Sequence, residues 1–154
     1  MIEPYETVLE SLYKDYGALG LKIKDNEDYR VSLTKGDLVL TIATEKNYQP
    51  SILASLEDGT GARFELGLAR RVFSERRYEA DMKELAAIKT KYKLDSGNAS
   101  SSENVSGTYI YVKVALAGIF AFLSEFGGQV NSGNETFLAE YKARERALLG
   151  RFGL

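Results

Sequence analysis

Residues 109–128 read YIYVKVALAGIFAFLSEFGG; Lys113 is the only positive charge, and residues 114–123 contain no polar side chain. A segment that apolar has to be surrounded by protein or by lipid. Its charge-free core is about half of the roughly 20 apolar residues that a bilayer-spanning helix needs. Extending it meets Lys113 on one side and Ser124 and Glu125 on the other, and neither a Lys/Arg cluster nor an aromatic belt frames it. The expectation is a buried core helix over residues 109–126. Tyr109, Ile110, Tyr111 and Val112 are β-formers, which leaves open a strand-like start. Lys113, Ala117 and Ser124 fall on one strip of that helix, its least apolar side. Solvent or a partner reaches the helix there, and burial of that strip as well would indicate a homodimer.

The rest of the chain supplies the partners of that helix. Tyr5, Val8, Leu9, Leu12, Tyr13 and Tyr16 recur at helical spacing after Pro4, which predicts an amphipathic helix over 4–16 ended by Gly17. From residue 21 the period changes to two. Strands are expected at about 21–24, 28–34, 38–44, 51–57 and 62–67, with a loop from Glu45 to Pro50 and a tight turn at Asp58-Gly59-Thr60-Gly61. Short connections imply an antiparallel meander with one apolar face in need of a helical cover. Residues 67–73 read as a short helix leaving the sheet, and Tyr78, Met82, Leu85, Ile88 (or Lys89) and Tyr92 mark a helix over 76–93. The Ser/Asn/Gly-rich segment 95–107 reads as a flexible loop. Ser132 and Glu135 fit a capping box opening a last helix over 134–149, with Phe137, Leu138, Tyr141, Leu148 and Leu149 inward. The fold class is therefore α+β: one domain over 1–154, a four-stranded antiparallel meander covered on one face by about four helices.

Composition removes whole chemistries. With no cysteine there are no disulfides, thiolate metal sites or Cys nucleophiles, and with no histidine the commonest general base and transition-metal ligand are gone. A net charge of −2 gives no general attraction to nucleic acid or anionic lipid, so neither is expected as a partner. The charge is unevenly spread: residues 1–68 carry a net −5, residues 69–95 a net +3, and the remainder balances. The start, MIEPYETVLE, lacks the basic and apolar regions of a secretory signal, which makes the expected location cytoplasmic.

No motif supplies a catalytic centre, a metal site or a cofactor. Gly59-Thr-Gly61 lacks the third glycine of a dinucleotide loop and sits between strands. Ser11-x-x-Lys14 and Ser32-x-x-Lys35 match a Ser–Lys acyl-transfer pattern only in its first element. Asp25, Glu27 and Asp28 lack the glycine and terminal glutamate of a calcium loop. Arg70, Arg71, Arg76 and Arg77 form the densest basic cluster; with Tyr78 they suit a phosphate and a stacked base, but salt bridges to the acidic first half are the expected use in an acidic chain.

The order of elements carries a resemblance. An amphipathic helix leads into the meander GDLVLTIATEKNYQPSILASLED, and a Phe64-x-Leu66-Gly67-Leu68 strand end passes into a helix. Over residues 5–75 this layout resembles the small α+β immunity proteins of bacterial polymorphic-toxin and contact-dependent inhibition systems. The apolar helix after Tyr109 departs from the short versions of that layout, and no functional residue carries across. The resemblance implies a cytoplasmic, non-enzymatic protein that binds and blocks one toxin. The acidic half suits a cationic toxin, because complementary potentials speed association. Asp25, Glu27, Asp28, Glu57 and Asp58 are the expected partner-binding positions. The alternatives are a small-ligand or lipid-binding module with a pocket between sheet and central helix, a structural homo-oligomeric domain, and an enzyme built on Asp/Glu, Tyr or Ser alone.

Overall fold

The period-two stretches all pair with their sequence neighbours. In a computed structural model describing residues 1–94 and 102–153, they form one antiparallel sheet in the order β1-β2-β3-β4-β5. The strands are β1 (Lys22–Asn26), β2 (Arg30–Lys35), β3 (Leu38–Glu45), β4 (Tyr48–Glu57) and β5 (Arg63–Glu65). The meander thus has five strands rather than four, because β1 pairs with β2 from Lys22 to Asn26 through a bulge between Ile23 and Asp25. The expected loop at 45–50 shrinks as β3 and β4 run on to the Glu45–Tyr48 pair.

Register places Leu33, Leu40, Leu56 and Phe64 in one cross-sheet row and Val31 and Ile42 in another, all buried. The helices cover this face: α1 (Tyr5–Ser11), α2 (Tyr13–Ala18), α3 (Leu66–Lys91), α4 (Ser102–Phe126) and α5 (Glu135–Arg151). The single helix expected over 4–16 breaks at Leu12, whose φ/ψ of −100/16 is non-helical, and its second part runs past Gly17 to Ala18. The two expected helices at 67–73 and 76–93 are continuous in α3 except at Ser74, where φ −156 and ψ 65 kink the chain.

The central apolar helix is α4, and it starts earlier than expected. Residues 102–107 are helical, correcting that part of the loop, while 95–101 lie outside the described residues. By length and composition the segment Asn104–Gln129 is apolar enough to cross a bilayer. In the fold it lies against β4, α1 and α3. Val112, Leu116, Ile119, Phe120 and Phe122 are buried, so the helix is enclosed on one face rather than all round. Of the expected strip, Lys113 and Ser124 are exposed and Ala117 is half-buried.

Two expectations for α5 are corrected. Its N-cap is Asn134, whose side chain accepts from Phe137 N, because Ser132 is engaged elsewhere. Phe137 and Tyr141 are buried, but Leu148 and Leu149 are 44% and 43% exposed, since the last turns of α5 run beyond the layer the rest of the helix packs on.

Candidate functional site

The side of the sheet away from the helices is uncovered. Its rows follow from the register: Thr34, Val39, Glu57 and Arg63 stand side by side, then Ser32, Thr41, Ser55 and Glu65, then Ala43 and Leu53. The middle of this face is made of small or β-branched side chains, which leaves it flat, with charges only toward the rims. Leu53 is 52% exposed on it. A groove of about 450 Å³ runs between this face and α5, lined by Thr41, Leu53, Arg63, Tyr141 and Glu145 among others.

Both sheet edges are blunted. β1 is exposed throughout, yet it is short, bulged and carries Lys22 and Lys24, which are devices that discourage strand addition. At the other edge the Glu65 N–H that faces outward from β5 is capped by the Tyr141 hydroxyl at 2.8 Å. Strand addition is thus disfavoured at both edges, and the face between them stays open.

The five expected partner-binding carboxylates do not form one cluster. Asp25, Glu27 and Asp28 are all exposed around the β1–β2 hairpin. Glu27 is paired with Arg30 at 3.3 Å, and the Asp28 carbonyl accepts from Ile2 N at 2.8 Å. The chain's own start joins this corner: Glu6 accepts from Asn26 at 2.9 Å and from the Met1 ammonium at 3.2 Å. The Asn26 hydrogen bond, with help from the ammonium and against some burial, holds the Glu6 carboxyl below its ordinary range. Glu57 and Asp58 lie diagonally opposite, three strands away, which is about 14 Å across the sheet alone.

Asp58 in particular is used internally. It accepts from Thr60 N at 2.9 Å, from Thr60 Oγ1 at 2.5 Å and from Ser132 N at 2.8 Å, tying the β4–β5 turn to the loop before α5. These bonds, the Thr60 hydroxyl first, hold its carboxyl far below its ordinary value of 3.8. A depressed carboxylate pKa stabilises the fold above the unfolded value, and that stabilisation is lost as pH falls through the folded one. The denaturation midpoint of Asp58→Asn should therefore lie below wild type at about pH 7, with the gap closing toward about pH 2. Urea titrations across that range check it; a gap that is independent of pH would refute it.

The basic cluster also differs from expectation. Arg71 sits 3.8 Å from Glu75 and 3.9 Å from Glu79, and Arg77 pairs with Glu125 at 2.8 Å. Arg70 pairs with Asp81. These partners belong to α3 and α4, not to the acidic first half. Among the described residues no group of three Asp/Glu is placed to hold a metal ion, and none of the buried polar residues is a carboxylate.

Compared with family models, curated proteins and solved structures, the chain matches none. Its function has to be read from its own surface. Leu53 and the hydroxyl-rich rows around it were absent from the sequence expectation. One signal for them existed: Leu53 is a large apolar residue on the outward phase of a strand whose inward phase is Ile52, Ala54 and Leu56.

Proposed function

We propose that the chain is a non-catalytic protein-binding domain whose docking surface is the uncovered sheet face, and that it serves as an immunity protein neutralising a cationic toxin. The observation that carries this reading is the uncovered face that bears exposed Leu53, bounded by two blunted edges. A sheet face with a neutral centre, charged rims and an apolar-walled groove beside α5 offers contact area and a seat for a protruding side chain of another protein. The corner of Asp25, Glu27 and Asp28, joined by Glu3 and Glu6, supplies the negative rim that steers a basic partner in. Asp58 keeps its charge but is not a direct contact, because its oxygens are occupied within the fold.

The space between sheet and central helix holds about 100 Å³. That is below the roughly 300 Å³ at which ligand pockets for drug-sized molecules begin, so a lipid chain has no room there.

The test compares three baits in capture from the native lysate: wild type, Leu53→Arg, and Lys113→Glu on the helical side. A stoichiometric basic protein should be retained by wild type and by Lys113→Glu and lost with Leu53→Arg. Equal retention by all three baits would place the interface elsewhere. With that protein in hand, reversing Asp25, Glu27 and Asp28 to lysine should lower the association rate, most at low salt, with little change in dissociation.

A further inference from the structure

The kink in α3 builds a small site that the sheet-face reading does not use. In a straight helix residues 70 and 81 stand about 16 Å apart along the axis. The break at Ser74 lets the Arg70 guanidinium reach Asp81 instead. Arg70 is only 7% exposed, and Asp81 is its sole hydrogen-bond acceptor among the described residues. The Tyr78 ring covers the guanidinium at 5.1 Å. On the α4 side lies Gly118, where a Cβ would stand 3.6 Å and 3.8 Å from the two terminal guanidinium nitrogens. Beside them opens the cavity of about 100 Å³, with Arg70 and Tyr78 at its polar end and Ile52, Leu85, Val114 and Ile119 among its apolar walls.

We propose that this cavity binds a small organic monocarboxylate, its carboxylate on the free edge of the Arg70 guanidinium and its alkyl group against the apolar wall. A guanidinium carries five N–H donors in a planar fork that matches a carboxylate, and a single bond to Asp81 leaves most of them without an acceptor among the described residues. Tyr78 has no hydrogen-bond partner for its hydroxyl among the described residues and lines the same space, so it adds a second donor. The volume sets the size: it is about three times the roughly 30 Å³ that one water occupies in the liquid. A two-carbon acid fits; a nucleotide, a sugar or a fatty acyl chain does not. The charge sets the valence. Asp81 already sits on the guanidinium and Glu65 also lines the cavity, so a second negative charge on the ligand meets repulsion.

Acetate is the probe, with acetamide and inorganic phosphate as controls, and amide chemical shifts and melting temperature as readouts on the full chain. Acetate should shift the Gly118 and Tyr78 amides saturably, with a dissociation constant on the order of 1 mM, and raise the melting temperature. Gly118→Ala, whose added methyl meets only ordinary contacts while narrowing the cavity, should weaken binding about tenfold without loss of fold. Tyr78→Phe should weaken it by a smaller factor. The proposal is overturned if acetate gives no saturable shift, if acetamide or phosphate binds as well, or if Gly118→Ala leaves the affinity unchanged. None of these outcomes depends on Leu53 or on a protein partner.

Discussion

Replacing Phe137 by alanine is expected to destabilise the protein by about 3–5 kcal/mol, the range for emptying a buried aromatic site. Phe137 is 2% exposed and joins three elements. It stacks on Phe73 of α3 at 5.2 Å with an interplanar angle of 9°, and meets the Phe64 edge of β5 at 5.2 Å. Within α5 it touches Tyr141 at 5.6 Å, and Phe73 in turn stacks on Phe126 of α4 at 5.0 Å. Removing one ring therefore takes contacts from α3, α5 and β5 together. Total stabilities of about 5–15 kcal/mol are usual, so the variant should lose a large part of its reserve. Urea denaturation followed by circular dichroism checks this; a loss under about 1 kcal/mol would mean the rings do not hold α5 to the sheet. Phe137→Leu should recover roughly half of the loss, since most of the apolar volume returns.

Tyr5→Phe is expected to cost about 1–3 kcal/mol, although it removes a single oxygen. That oxygen is the centre of a buried polar knot. It accepts from Thr44 Oγ1 at 3.0 Å and from Ser51 N at 3.2 Å, while Thr44 and Ser51 hydroxyls stand 3.1 Å apart and Glu45 N donates to Ser51 Oγ at 2.9 Å. The knot fastens α1 to the β3–β4 hairpin where the ladder between those strands is irregular. Phenylalanine leaves the Ser51 N–H and the Thr44 hydroxyl buried without that acceptor, and the desolvation penalty is then uncompensated. A double-mutant cycle with Thr44→Val measures the coupling; additivity within about 0.3 kcal/mol would show that the hydroxyls act independently.

How far the fold was legible depended on whether a pattern was local. Alternation in 28–34, 38–44 and 51–57 sets both pairing and face, so Val31, Leu33, Leu40, Ile42 and Leu56 are buried as their phase indicates. The α4 strip was legible for the same reason: Lys113, Ala117 and Ser124 differ from their surroundings within one helix. What was hidden depends on distant residues. Ser132 and Glu135 have the spacing of a capping box, but Asp58 takes the Ser132 N–H and Asn134 becomes the cap. Leu148 and Leu149 continue an apolar stripe, and only the length of the layer beneath α5 decides that they are left exposed. The Arg70–Asp81 pair is invisible as a spacing, because it exists only once Ser74 departs from helical geometry. The candidate site was legible in kind, as the uncovered side of a meander, but not in position. Five carboxylates chosen by charge alone fall at two diagonal corners, and one of them is a structural acceptor.

The enclosure of α4 also bears on how the chain is made. During synthesis the ribosome delivers α1, the five strands and α3 before α4 appears, and these are the elements α4 packs against. A nascent segment this apolar, with a mean hydropathy of 1.6 in its most apolar window, resembles a membrane-insertion signal as it leaves the exit tunnel. The order of the gene answers that hazard. By the time Leu116 and Phe120 emerge, the surface that buries them has already been translated. Moved to the front of the chain, the α4 segment would emerge before any of that surface and lose the protection.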